Sequence, residues 1–253
     1  MRAAKHLVPD WRDAAAYAPV LAADRSILAW EWLRRDPDYV AAADRADHRQ
    51  WAPEAERWGL VAFEAPDLSA PRARPVWSAA AHSGVLGVLA SGPGEACDCF
   101  ELERFEALST IVPVRAGREH LLISDGLRII RLDVLAGTLT EGATQLSFLL
   151  GGLASAERPL LTLRRLLALA RSGGFSPSLH PRVPRARRWV LMLRANDALE
   201  AGADQRQIAE VLLSTGARET RWRSRVPSLR SQVQRLVRSA RAMAAGSWRD
   251  LLR

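Results

Sequence analysis

The side chains best suited to chemistry lie along one stretch, from Pro227 to about Ala245. At 100° per residue, Leu229, Val233, Leu236, Ala240 and Met243 fall within about 80° and form one apolar stripe. Arg230, Gln234, Arg238 and Arg241 fall within about another 80° on the flank and back, and Ser231 and Arg235 extend that polar face. Such a helix can bury one side and offer Arg, Gln and Ser to a major groove, where Arg reads guanine and Gln reads adenine. Upstream, Arg221, Arg223 and Arg225 cluster before the helix, placed for phosphate contact. The expected DNA-binding residues are therefore Arg221, Arg223, Arg225, Ser228, Arg230, Ser231, Gln234, Arg235 and Arg238, with double-stranded DNA as the partner.

Other chemistries find less support. A metal site would need more ligands than Cys97-Asp98-Cys99 supplies, even with His82 or His120 added, and the pair lacks the usual spacing. Ser91-Gly92-Pro93-Gly94 and Gly84-Val85-Leu86-Gly87 are not followed by Gly-Lys-Ser/Thr, so a phosphate loop is not supported. There is no Gly-x-Ser-x-Gly elbow and no His-Glu-x-x-His. Glu101, Glu103 and Glu106 read as a solvated face, and Asp197 reads as a polar group satisfied by helix packing rather than a catalytic acid. No enzyme, cofactor or metal is expected.

Charge points the same way as the candidate helix. The 253 residues carry a net charge of +8, but residues 1–150 hold 16 basic and 21 acidic residues, while residues 151–253 hold 20 and 7. All the basic residues but Lys5 are arginine, the better fork for phosphate and guanine. A basic excess confined to one part of a chain is the electrostatic footprint of a polyanion partner. No apolar run is long enough to span a membrane, and the first residues lack an apolar signal core. Two cysteines do not make a disulfide scaffold, so a soluble, cytoplasmic, bacterial protein is expected.

Three segments must position these residues, in an α+β arrangement. Residues 1–70 form a Trp-rich helical unit, with Ser26–Arg35 as a helix ended by Asp36-Pro37. A second helix is expected from Tyr39 to about Trp51, and a short third from Glu54 to Trp58 closes at Gly59. Trp11, Trp30, Trp32, Trp51 and Trp58 are expected in its core. Pro66 to Pro75 reads as a linker or long loop. Residues 75–150 carry period-two runs at Val85–Ala90, Thr110–Val114 and His120–Leu135, which predict a small antiparallel sheet. Within the last run, Asp125-Gly126 predicts a hairpin with a type I′ turn. Residues 155–253 form a helical domain: Pro159–Arg171, Arg185–Glu200, Asp204–Leu213 and Pro227–Ala245. Gly202 to Leu212 has the pattern of the first half of a helix-turn-helix, although Leu213 to Pro227 is longer than a tight turn.

Two sets of residues also carry a resemblance. Asp10-Trp11-Arg12, Ala29-Trp30-Glu31-Trp32-Leu33-Arg34-Arg35-Asp36-Pro37-Asp38-Tyr39 and Arg57-Trp58-Gly59-Leu60 resemble the transcriptional-regulator-like N-terminal domain of alphaproteobacterial proteins. Leu193-Arg194-Ala195-Asn196-Asp197-Ala198-Leu199, Gly202-Ala203, Ile208-Ala209, Trp222, Leu229-Arg230, Arg235-Leu236-Val237 and Gly246-Ser247-Trp248-Arg249-Asp250-Leu251-Leu252 resemble its usual companion, a DNA-binding domain of unknown-function origin. The pairing is similar to activators of excision and transfer in integrative and conjugative elements. The terminal motif commonly reads Gly-Gly-Tyr-Arg; here Gly246-Ser247-Trp248-Arg249 keeps an aromatic. The resemblance implies a sequence-specific transcriptional regulator, an activator. The alternative is a protein–protein interaction regulator, an antagonist or scaffold that binds a co-encoded regulatory protein and not DNA. A third possibility is that the acidic N-terminal unit masks the basic surface.

Overall fold

The computed structural model describes residues 8–95, 98–114, 118–213 and 227–253, and shows an α+β protein. Near the N-terminus, α1 (Arg25–Leu33) is buried on nearly every side. It stops before Pro37, which opens α2 (Pro37–Ala43), where Asp36 caps the backbone N–H groups of Asp38 and Tyr39. The helix expected to reach Trp51 ends at Ala43. The chain turns back through Arg49 at φ 62° so that His48 and Trp51 pair with Phe63 and Ala62. That turn puts Trp51 at the edge, 41% exposed, whereas Trp11, Trp30, Trp32 and Trp58 are core as expected. A 3₁₀ helix over Pro53–Trp58 closes at Gly59, φ 80°. Residues 66–75 are a loop held against α1: Trp30 Nε1 donates to the Leu68 carbonyl at 2.9 Å, and Arg34 Nη1 to the Pro66 carbonyl at 2.9 Å.

The middle segment contributes one six-stranded sheet: β1 (Leu86–Ser91), β2 (Cys99–Phe100), β3 (Ser109–Val114), β4 (Arg118–Ser124), β5 (Ile129–Ala136) and β6 (Thr144–Leu149). Its order is β2-β6-β1-β5-β4-β3, antiparallel except where β1 runs parallel to β5. The β4–β5 hairpin exists, but its connection is four residues long instead of a two-residue type I′ turn. The Asp125 carboxylate accepts from the Leu127 and Arg128 N–H groups, which fixes the wider loop. Gly126 sits there at φ 92°, so close under Pro71 that a Cβ would fall 1.7 Å from its carbonyl oxygen.

The helical remainder follows the expected punctuation. α3 (Glu157–Ser172) stops at Gly173, α4 (Ala186–Glu200) shortly before Gly202, α5 (Gln205–Leu212) begins at Asp204, and α6 (Pro227–Ala244) is followed by Gly246. The two hydrophobic cores do not follow chain order. One joins Trp11 through Trp77 with Ala186 through Leu252 and takes in Val112, Leu122 and Ile129 from one sheet face. The other lies on the opposite face, where Leu86, Leu121, Ile130, Leu132 and Val134 pack against Leu166 and Leu169 of α3. Strand alternation explains the split, because Leu121 and Leu122 point to opposite faces. No helix among the described residues is long and apolar enough to cross a membrane.

Candidate nucleic-acid interface

The polar face of α6 is built by its apolar one. Val233, Leu236, Val237, Ala240 and Met243 are buried, and this stripe packs against α4, α5 and α1. Of the five expected positions, Leu229 is only half-buried; Val237 joins the other four and widens the stripe. The rotation this fixes leaves Arg230, Ser231, Gln234, Arg235, Arg238 and Arg241 exposed on the far side. Among the described residues, none of these arginines pairs with a carboxylate. Of the other expected contacts, Ser228 lies in the first turn of α6, while Arg221, Arg223 and Arg225 lie outside the described residues.

α5 is held beside α6 by its own N-terminus. Asp204 Oδ1 accepts from the Gln207 N–H at 2.8 Å, and the Gln207 side chain accepts from the Asp204 N–H at 2.9 Å. This reciprocal pair is a capping box with Gln in the third position, and it satisfies donors that the helix itself cannot. Ile208 and Ala209 are fully buried, and the small Ala209 lets neighbouring helices come close.

Both helices pack against α4, which a buried ionic tie joins to the N-terminal unit; no pattern in the sequence pairs its residues. Asp197 of α4 accepts from Tyr17 Oη at 2.6 Å, Arg35 Nε at 2.7 Å and Arg35 Nη2 at 3.0 Å. Arg35 also meets Glu31 at 2.8 Å, and so does Arg34. Burial opposes charge on Arg35, but Asp197 and Glu31 outweigh it and raise its proton affinity. Burial and the Asp197 carboxylate raise the Tyr17 hydroxyl far above the ordinary tyrosine range, so it stays a donor. Asp197 is thus a satisfied packing group, as expected, and not an acid available for catalysis. Arg194, one turn earlier, donates to the carbonyls of Trp11 and Arg12 at 2.9 and 3.1 Å. The terminal aromatic completes the joint: Trp248 is buried against Trp77, ring centroids 5.8 Å apart, with Arg249 over its ring.

These contacts bear on the masking idea. The N-terminal unit covers the apolar side of the C-terminal helices and leaves the polar face of α6 open, so it supports that surface instead of hiding it. Glu101, Glu103 and Glu106 are exposed, as a solvated face requires. Among the described residues no cluster of His, Cys, Asp or Glu is arranged to hold a metal.

Comparison with known proteins gives two family matches. Residues 152–253 match the family described as a T6SS transcription factor DNA-binding domain. Residues 10–61 match the proteobacterial transcriptional regulator-like domain. No curated protein matches the chain. The two matches support a DNA-binding transcription regulator, with DNA as partner, and neither family is an enzyme family.

Proposed function

We propose that the chain is a sequence-specific, cytoplasmic activator of transcription. In this reading α6 acts as the reader of the major groove, and α5 and α6 serve as a helix-turn-helix-like pair. The observation that carries it is the uncovered α6 face, with Arg230, Ser231, Gln234, Arg235 and Arg238 exposed and no carboxylate on the arginines among the described residues. Arg230 and Arg235 would read guanine edges, Gln234 adenine, and Ser228 with Arg221, Arg223 and Arg225 would contact phosphates. The resemblance to activators of conjugative elements supports control of genes on a mobile element. The description of the C-terminal family supports control of secretion genes instead.

The test is a gel shift with DNA upstream of the chain's own gene and of its neighbours, at several salt concentrations. Wild type should prefer one such duplex over unrelated DNA. Arg230→Ala with Arg235→Ala should lose that preference, at about 1–3 kcal/mol for each bidentate base contact removed. An unchanged preference in the double variant rules out α6 as the reader. A co-purifying regulatory protein with no duplex binding would favour the interaction-regulator alternative.

A further inference from the structure

A second basic surface is built from elements other than α6. From Arg158 through Asn196 the chain carries nine arginines and no aspartate or glutamate. Arg158 and Arg165 of α3, Arg25 of α1 and Arg185 at the start of α4 come toward one place. Arg165 of α3 reaches Asp24 at 3.7 Å, and Arg158, two turns earlier, lies on the same side of that helix. Arg25, next to Asp24, places its guanidinium 5.8 Å from the centre of the Trp189 ring. Trp189 is one turn beyond Arg185, whose carbonyl accepts its N–H at 3.0 Å. Burial lowers the proton affinity of Arg25, and the nearby charges of Arg158 and Arg185 lower it further, against the opposing Asp250. Arg25 Nη2 donates to the Asp250 carbonyl at 2.8 Å, while its Nε is shielded from water without a hydrogen-bond partner. Arg158, Arg182, Arg185, Arg187 and Arg188 are all exposed, and among the described residues none of them pairs with a carboxylate.

Asp24 and Asp250 serve Arg165 and Arg25, but the exposed arginines around them have no paired carboxylate among the described residues, and like charges left so repel one another unless an anion neutralises them. We propose that Arg158 and Arg185, flanked by Arg182, Arg187 and Arg188, bind phosphodiesters of the same duplex that α6 reads, as a backbone clamp that carries no sequence information. This rests on the DNA-binding reading above and extends it. The exposed patch suits an extended polyanion. It lies where the C-terminal bundle ends, since Asp250 follows shortly after α6.

The experiment is an anisotropy titration of the whole chain on the duplex that wild type prefers and on an unrelated duplex of equal length, across a salt series. Arg158→Ala with Arg185→Ala should weaken both duplexes by the same factor, roughly tenfold. The slope of log K against log salt should become shallower by about 1.8, because two fewer phosphates are neutralised. Arg158→Lys with Arg185→Lys keeps the charges and should keep the slope. Both positions are exposed, so thermal unfolding should match wild type. If the alanine pair leaves both affinities and the slope intact while Arg230→Ala with Arg235→Ala abolishes the preference, the clamp is overturned and the reading of α6 stands. If the alanine pair weakens only the preferred duplex, the patch reads sequence and the clamp is again overturned. If wild type binds neither duplex, the DNA reading fails and takes this inference with it.

Discussion

At Asp197 three hydrogen bonds from two side chains converge on one carboxylate shielded from water. Removing it would leave Arg35 buried with only Glu31 for compensation and would strand the Tyr17 hydroxyl. Breaking one side of a buried pair costs far more than the intact pair contributes. Asp197→Ala should therefore destabilise the fold by about 3–5 kcal/mol in urea unfolding. A loss below about 1 kcal/mol would mean that water replaces the carboxylate and that the tie is weak. An aspartate amid Leu193, Ala195 and Ala198 is legible in the sequence as a packing group. Its partners are not, because Tyr17 and Arg35 lie 180 and 162 residues away and no local pattern links them.

Among the elements, α6 is the most legible, since a 3.6-residue period over 18 residues fixes which side is buried. α2 is legible only at its start: Asp36-Pro37 marks a beginning, but nothing in Asp44 to Trp51 announces the turn at Arg49. Pairing in the sheet is half legible, because alternation identifies strands without naming neighbours. Hence neither the parallel β1–β5 pair nor the short β2 is announced by the sequence. α5 is eight residues long and depends on its cap more than a long helix would. Asp204→Ala should cost about 1 kcal/mol. If the α5–α6 pair presents the reading face, the same change should also weaken duplex binding while Gln207→Glu leaves it standing. A stability loss with unaltered DNA affinity would show that α5 plays no part in presenting α6.

Across the whole molecule, the main core is assembled from the two ends of the described chain, and the sheet with α3 is joined to its side. Apolar stripes announce that α1, α4 and α6 have buried faces, but they do not say which stripe meets which. Deleting residues 1–75 should therefore not free a hidden DNA surface. It should bare Val233, Met192 and Trp248 and yield a chain that aggregates or melts without a sharp transition, read by calorimetry and size-exclusion chromatography. A sharply melting 76–253 fragment would show that the C-terminal helices need no such cover. The tie between Arg25 and Asp250 spans 225 positions. Contacts of such separation close late, and during synthesis the N-terminal unit must wait for α4 and α6 to leave the ribosome. Translation is thus its own checkpoint: a polypeptide stalled before α6 has neither that helix nor the completed core that would support it.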